Sequence, residues 1–510
     1  MESQTSSGEN PAPWQERTGE GAETSHHGPG LDWVRPVTPT NCLEREGIEA
    51  LLVGRFDGPA AGDLLMPHVI SRLLHFSRLR CGSMHSGDYS RIGGHVVRNY
   101  GECALEMGED CSRLVHVGGD ILSDTLSERY PASIDEDESD RFASLLEIAR
   151  PEQIEEYVRR RTGQLDDFAY VLAPRGKFSG AGLCFHAVGF PEPDRLEPGL
   201  RSRLVEMMKA ARFVGIRDQI GAAFLEKQGV TVERMPCGLV VLPQVCARAL
   251  RQCRGAESLR SLHRRFPHGW IAVETPSELE LAEGDRLAEA LAAVSRREGC
   301  GIVFFDGNCQ PDGDISHLEN WAAKIPGGRA GVFRPDSIWE VASLILHARQ
   351  LCASSVEMRS IAMSGAIPRV AIPVPGEAMR SYCDLWEHFE VATALSSAGD
   401  WEAEIASTLS FEPHRLRQHA SRLHDRYFAS FRLFCRETEM EPGLLPGGGG
   451  SRRADTRGEA HHSPDELFGD RGFANLLRRF QRARSPGQAS TEEARQQVEE
   501  RDRSVVTAES

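Results

Sequence analysis

The sequence predicts an α/β protein of two halves, each an open, mostly parallel sheet layered by helices, with closing helices near the C-terminus and polar tails at both ends. Three observations predict it. Short apolar runs alternate with helix-period segments from Ile48 to about Pro243, a second such alternation starts near Trp270, and 510 residues at 40% apolar content exceed what one compact core holds.

Residues 1–42 are rich in Ser, Gly, Pro and Glu, with too few large apolar groups to offset the entropy of ordering, and are expected to be disordered. The first half, 43–245, carries "IEALLVGRF", "LLMPHVISRLLHF", "RLVHVGG", "DFAYVLAP", "GLCFHAVGF", "ARFVGIRD" and "QIGAAFLEKQG". That is the βαβ pattern of a parallel sheet. The acidic "SIDEDESD" and the stretch 151–165 interrupt it as a surface insertion with a charged helix. The second half, 246–390, repeats the pattern through "GWIAVET", "GIVFFDG", "AGVFRP" and the segment from Asp336 to Pro373. From 391 to 440, Leu409, Leu416, Leu423, Tyr427, Phe431 and Phe434 fall at helical spacing and predict closing helices. The tail 441–510 opens on a glycine-rich linker. Over 464–482 it carries a capped amphipathic segment, with Phe473, Leu476, Leu477 and Phe480 on one face and arginines at its end, either a marginal helix or a weak contact for a partner or membrane surface.

A formal charge of -16 argues against a general nucleic-acid binder, which needs a basic surface to displace counterions. Arginines number 55 and lysines only four, Lys177, Lys209, Lys227 and Lys324, so Schiff-base chemistry has few candidates. Thirteen cysteines without C-x-x-C pairs or metal-like spacing fit a reduced, cytoplasmic protein with no bound metal. No basic leader precedes an apolar run, and no stretch reaches the roughly 20 apolar residues that span a bilayer.

Four places carry candidate chemistry. In "VGRFDGPAAGDLLMP", Gly54, Gly58 and Gly62 precede Asp63, which is expected to cap the next helix; such a turn lets backbone N–H groups converge on an anion, or is a tight connection only. Lacking lysine and the P-loop spacing, it is not a nucleotide-hydrolysing loop. In "LVHVGGDIL", Gly118, Gly119 and Asp120 follow a strand, where open α/β sheets bind ligands. Arg217 and Asp218 follow another strand; the guanidinium grips a carboxylate or phosphate, or pairs with Asp218 to start a helix. In "ASSVEM", Ser354 and Glu357 fit the S-x-x-E capping box beside Ser355.

These runs, in this order over about residues 48–435, resemble the polysaccharide pyruvyl transferase family. The resemblance implies two Rossmann-like halves facing across a cleft in the GT-B style. It further implies transfer of a pyruvyl group from phosphoenolpyruvate to a saccharide as a ketal, with no bound metal or organic cofactor. By position, Arg217 is the donor contact and Glu357 stands where the family carries a catalytic histidine; Gly58, Gly62, Asp63, Gly118, Gly119, Asp120, Ser354 and Ser355 line the substrate site. The chain departs from the pattern at Phe185-His186, Pro236-Cys237 and the Asp312/Asp314 stretch, which are expected to face the cleft.

Glu357 as a general acid requires burial to raise a carboxyl from about 4.3 by about two pH units or more, against nearby Arg217 or Arg359. Otherwise it caps its helix. Two alternatives therefore stand beside pyruvyl transfer: a catalytically degenerate homologue that binds a saccharide or protein partner, and a GT-B glycosyltransferase using a nucleotide sugar. A surviving Arg217 predicts that the cleft still binds an anion. His347 reads as a packing residue, His26-His27 has no metal partner spacing, and Trp386 is expected to pack under the closing helices.

Overall fold

Strands buried on both faces organise each half, and they read as near-continuous apolar runs because helices cover both sides of the sheet. The computed structural model describes residues 49–443 apart from 77, 132, 135, 276–280, 311–312, 388–392 and 395–398. The predicted tail disorder, the linker beyond 443 and the 464–482 segment lie outside the described residues.

The first lobe contains β1 (Glu49–Val53), β2 (Arg78–Ser83), β3 (Gly87–Asp88), β4 (Val96–Asn99), β5 (Arg113–Val117), β6 (Gly182–Val188), β7 (Phe213–Ile216) and β8 (Glu233–Arg234). They form one sheet in the order β3-β4-β2-β1-β5-β6-β7-β8, parallel except for the β3–β4 pair. The second lobe contains β9 (Trp270–Glu274), β10 (Gly301–Phe305), β11 (Ala330–Phe333), β12 (Gln350–Ala353), β13 (Arg369–Ala371) and β14 (Thr393–Ala394), in the order β11-β10-β9-β12-β13-β14, all parallel. This is the predicted architecture: two Rossmann-like, GT-B-like α/β lobes.

The lobes meet through a shared apolar core. One cluster of buried side chains runs from Leu52 of β1 through Leu239–Leu242 to Trp270 and Val303 of the second sheet. Every residue of the helix Ile338–Leu346 is buried, including Glu340, whose carboxylate accepts from the Ser258 hydroxyl and Asp336 N–H. Its Trp339 ring meets His68 of the helix Ala61–Leu73 edge-on, 4.9 Å between centroids. Fully burying side chains of this size stabilises by about 1.5–3 kcal/mol each. Backbone bonds reinforce the seam: Ala61 N–H donates to Gly307 O at 2.9 Å, and Cys309 N–H to Pro59 O at 2.9 Å. Beside this seam, a polar cluster lies at the strand ends between the lobes.

The closing helices divide their work. Trp401–Leu409 packs on Leu281–Glu298 of the second lobe, whereas Pro413–Thr438 crosses back to β6 and β7 of the first. Pro413 occupies the first turn, where its missing N–H leaves no bond unmade. The insertion forms two helices, Glu136–Ile148 and Pro151–Thr162.

Candidate functional site

In an open parallel sheet, ligands bind outside the carboxyl ends of strands where the order reverses, because the connections part there and leave a crevice. The first sheet reverses between β1 and β5, and the second between β9 and β12. The chain leaving β1 carries Arg55, that leaving β5 carries Gly118, Gly119 and Asp120, β9 ends in Glu274, and β12 leads into Ser354 and Ser355. Arg217 follows β7 in the first lobe, and Glu357 lies in the first turn of the helix Val356–Ser364 in the second.

These residues form one charge cluster. Arg217, 1% exposed, donates from Nη1 to Glu357 Oε1 at 2.6 Å and from Nη2 to Asp120 Oδ1 at 2.8 Å, with Nε also on Asp120. A buried guanidinium needs such partners, since an unpaired charge there costs several kcal/mol. Burial alone would raise the Glu357 carboxyl, but the charge and hydrogen bond of Arg217 outweigh it and hold the group below the ordinary carboxylate value. Asp63 is the opposite case. Burial dominates the charge of Arg55 beside it, Glu357 adds repulsion, and its carboxyl is pushed up to about 7.

Each helix start has its own anion. Ser355 caps Val356–Ser364, its hydroxyl accepting from Met358 N–H. The Glu274 carboxylate takes the N–H groups of Ser354 and Ser355 at 3.1 and 3.0 Å and the Ser355 hydroxyl at 2.7 Å. Burial raises the Glu274 carboxyl and these bonds oppose the rise. Asp218 caps Gln219–Lys227 through Gly221 N–H and also accepts from Phe190 N–H and the Ser381 hydroxyl. Arg55 donates to Asp124 at 2.5 Å, and Arg129 meets the same carboxylate at 2.7 Å.

Glycines set the close approaches. A Cβ on Gly62 would overlap Glu357 Cβ across the lobes. Gly118 and Gly119 both have positive φ, 60° and 66°, which the turn after β5 requires. At Gly58 a Cβ would meet nothing within 4 Å, so packing does not demand glycine there.

No protein-family model matches the chain, and no curated protein matches it. Solved structures do. A co-structure of S. aureus MnaA with UDP is 10% identical, over 76% of this chain and 95% of that one, at a TM-score of 0.46. Alpha,alpha-trehalose 6-phosphate synthase from Burkholderia multivorans is 13% identical, over 77% and 98%, at 0.43. Anabaena Alr3699/HepE in complex with UDP-glucose is 12% identical, over 76% and 100%, at 0.41. Likenesses this distant leave the chemistry of the site to its own residues.

Several expectations need correction. Glu357 does not close a capping box on Ser354: Ser355 is the cap, and Glu357 reaches across the lobes to Arg217. Arg217 pairs with Asp120 and Glu357 rather than Asp218, which has its own helix to cap. Asp63 lies within the first turn after an Ala60 cap. His186 faces away from the site, buried beneath Pro413–Thr438 with its Nε2 3.3 Å from the Tyr427 hydroxyl, and burial lowers its pKa to about 3. Asp314 bonds locally to Ser316 N–H, and Asp312 lies outside the described residues. Cys237 does sit at the site, its sulfur 4.0 Å from Arg217 Nη1 and its thiol pushed up to about 11 by burial. Trp386 donates from its ring nitrogen to Arg217 O at 2.6 Å, which fixes the arginine backbone.

Arg55, Asp124 and Glu274 were not singled out by sequence reasoning. The signal was available for Arg55 and Glu274, each at the carboxyl end of the first strand of its half. A cavity of about 480 Å³ lies elsewhere, on the flank of the first lobe beside Arg175, Leu183, Arg203 and Met207. Among the described residues there is no cluster suited to a metal ion, and no helix is long and apolar enough to cross a membrane.

Proposed function

We propose that the chain is a pyruvyl transferase-like protein that has lost the anionic donor site and binds a saccharide at the paired strand-end crevices without transferring a pyruvyl group. The single observation that carries this is the engagement of Arg217 by the chain's own carboxylates: Nη1 donates to Glu357, and Nη2 and Nε donate to Asp120. A carboxylate of the chain itself stands where a donor anion would be gripped. Glu274 likewise fills the N–H groups at the start of Val356–Ser364, a ready anion site when vacant. Phosphoenolpyruvate and nucleotide sugars each carry at least two negative charges, and both meet this carboxylate-rich surface. Sugar hydroxyls, in contrast, donate well to carboxylates.

Pyruvyl transfer retains one supporting observation, that Asp63 holds a carboxyl poised near neutrality, which Glu357 does not. Thermal shift and calorimetry with oligosaccharides, phosphoenolpyruvate and UDP separate the readings. The expected result is a shift with a saccharide and none with either anion up to millimolar concentration. Phosphoenolpyruvate-dependent mass gain of a saccharide would overturn the proposal in favour of pyruvyl transfer, and a shift with UDP alone would favour glycosyl transfer.

A further inference from the structure

The cavity of about 480 Å³ on the flank of the first lobe is separate from the strand-end cluster. Leu183, which lines it, is the second residue of β6, so the cavity opens at the amino ends of strands whose carboxyl ends border the cluster. At about 3.3 Å per residue, Leu183 stands about 17 Å from the far end of its own strand. The volume falls within the roughly 300–1,000 Å³ of small-molecule pockets. Ala173 and Leu183 are buried at the cavity, and Pro174, Met207 and Ala210 complete an apolar lining. The charged groups of the lining are not alike. Arg203 gives one Nη to Asp166 at 2.8 Å and the other to Asp167 at 2.6 Å, and Glu206 accepts from Lys209 at 2.9 Å. Arg175 reaches only Asp166 among the described residues, from Nη1 at 3.5 Å, too long for a strong bond and on a carboxylate that Arg203 already holds. Its Nε and Nη2 donors are left without a protein partner, and the side chain is 56% exposed, so an incoming molecule can reach them.

We propose that this cavity is a second ligand site, that it takes a small carboxylic acid with a compact aromatic body, and that Arg175 grips the carboxylate. The Nε–H and Nη2–H of Arg175 form the planar fork that matches two carboxylate oxygens. The aromatic body covers apolar surface that otherwise faces water, and the Met207 thioether favours contact with a ring. Charge selects a monoanion over a phosphate dianion. Of the two guanidiniums in the lining only Arg175 lacks a close carboxylate, and Glu206 stands on the same lining to repel a second negative charge. Exposed Leu165 lies beside this end of the cavity, since a Cβ on Gly176, the neighbour of Arg175, would stand 3.4 Å from its Cδ1.

The test is calorimetric binding of 2-naphthoate and of its neutral analogue 2-naphthylmethanol to the full chain, as wild type, Arg175→Gln and Ala210→Trp. Wild type should bind the acid about fivefold or more tightly than the alcohol. Arg175→Gln should bring the two to equal affinity. Ala210→Trp, at the last residue of the helix Pro198–Ala210, places an indole in the cavity and should abolish binding of both. Both substitutions change exposed positions, and unliganded melting curves report whether the variants fold; either variant decides alone should the other fail. Absence of acid binding by wild type up to millimolar concentration overturns the inference, as does equal affinity of wild type for acid and alcohol. A preference for the acid that survives Arg175→Gln, or binding that survives Ala210→Trp, places the ligand elsewhere and overturns it too. The saccharide reading, which concerns the opposite ends of the strands, stands or falls separately.

Discussion

Asp63→Asn offers a direct test of the electrostatics between the lobes. Asp63 is buried against Arg55, with Asp120, Arg217 and Glu357 around it, and its carboxyl is raised from an ordinary 3.8 to about 7. Each factor of ten in proton affinity is about 1.4 kcal/mol, so the ionised group costs the fold about 4 kcal/mol above neutrality. The sign follows from which state holds the proton. The folded chain binds it more tightly, so the stability it contributes is complete below about pH 4 and is lost as pH rises to about 7. Asparagine has nearly the same shape and no charge at any pH. The advantage of Asp63→Asn over wild type should therefore grow by about 3 kcal/mol between pH 5 and pH 8. Urea titrations of both proteins at pH 5, 6.5 and 8, read through fluorescence of the buried Trp270, Trp339 and Trp401, measure it. A difference that stays the same across that range would refute the account, because it would mean that Asp63 ionises normally in the folded protein.

Glu357→Gln removes one of the two carboxylates that hold a buried guanidinium, and should cost about 3–5 kcal/mol at pH 7 in chemical denaturation. Because Glu357 is held below the ordinary carboxylate value, wild type loses this advantage as pH falls below about 4.5. Gly62→Ala drives a methyl into the Glu357 side chain at the seam, and should destabilise by about 1–3 kcal/mol despite alanine's better helix propensity, with a larger radius of gyration by solution scattering. Glu387, 2% exposed, bridges Arg359 and Arg369 at 2.5 Å each; Glu387→Gln should lose about 3–5 kcal/mol at neutral pH. Burial opposes ionisation of Glu387 but the two arginines hold its carboxyl down to about 2, so melting temperatures of variant and wild type should converge as pH falls from about 4.5 to about 2.

The sheets were legible because each central strand is short, apolar and bounded by turns: "EALLV", "RLVHV", "WIAVE" and "GIVFF" read the same way in sequence as in space. Strand-end glycines were legible for a related reason, since Gly118 and Gly119 take a backbone conformation that other residues adopt at a cost. Pairing was not. Arg217 and Glu357 are 140 positions apart and meet only because two lobes close on each other. Helix-start register was ambiguous as well. Ser354 and Ser355 both offer a hydroxyl; Ser355 is the cap, accepting from Met358 N–H, while Glu274, 80 positions from Ser354, takes the N–H groups of both serines. Arg55 was overlooked because "VGRFDG" draws attention to its glycines, although a charged residue directly after the first strand lies where a crevice opens.

Glu357 does more than neutralise a buried guanidinium. Glu357 comes from the second lobe and Arg217 from the first, so their ion pair is also a fastening between lobes, next to the packed contact of Gly62. An imidazole in that place would leave Arg217 with Asp120 alone and a guanidinium edge open to a donor. With glutamate there, a donor must first displace a buried carboxylate, and breaking such a pair costs about 3–5 kcal/mol. At about 1.4 kcal/mol per factor of ten, that is a loss of a hundredfold or more in affinity before any repulsion from Asp120 and Glu274 is counted. A ligand that leaves the fastening intact avoids the cost.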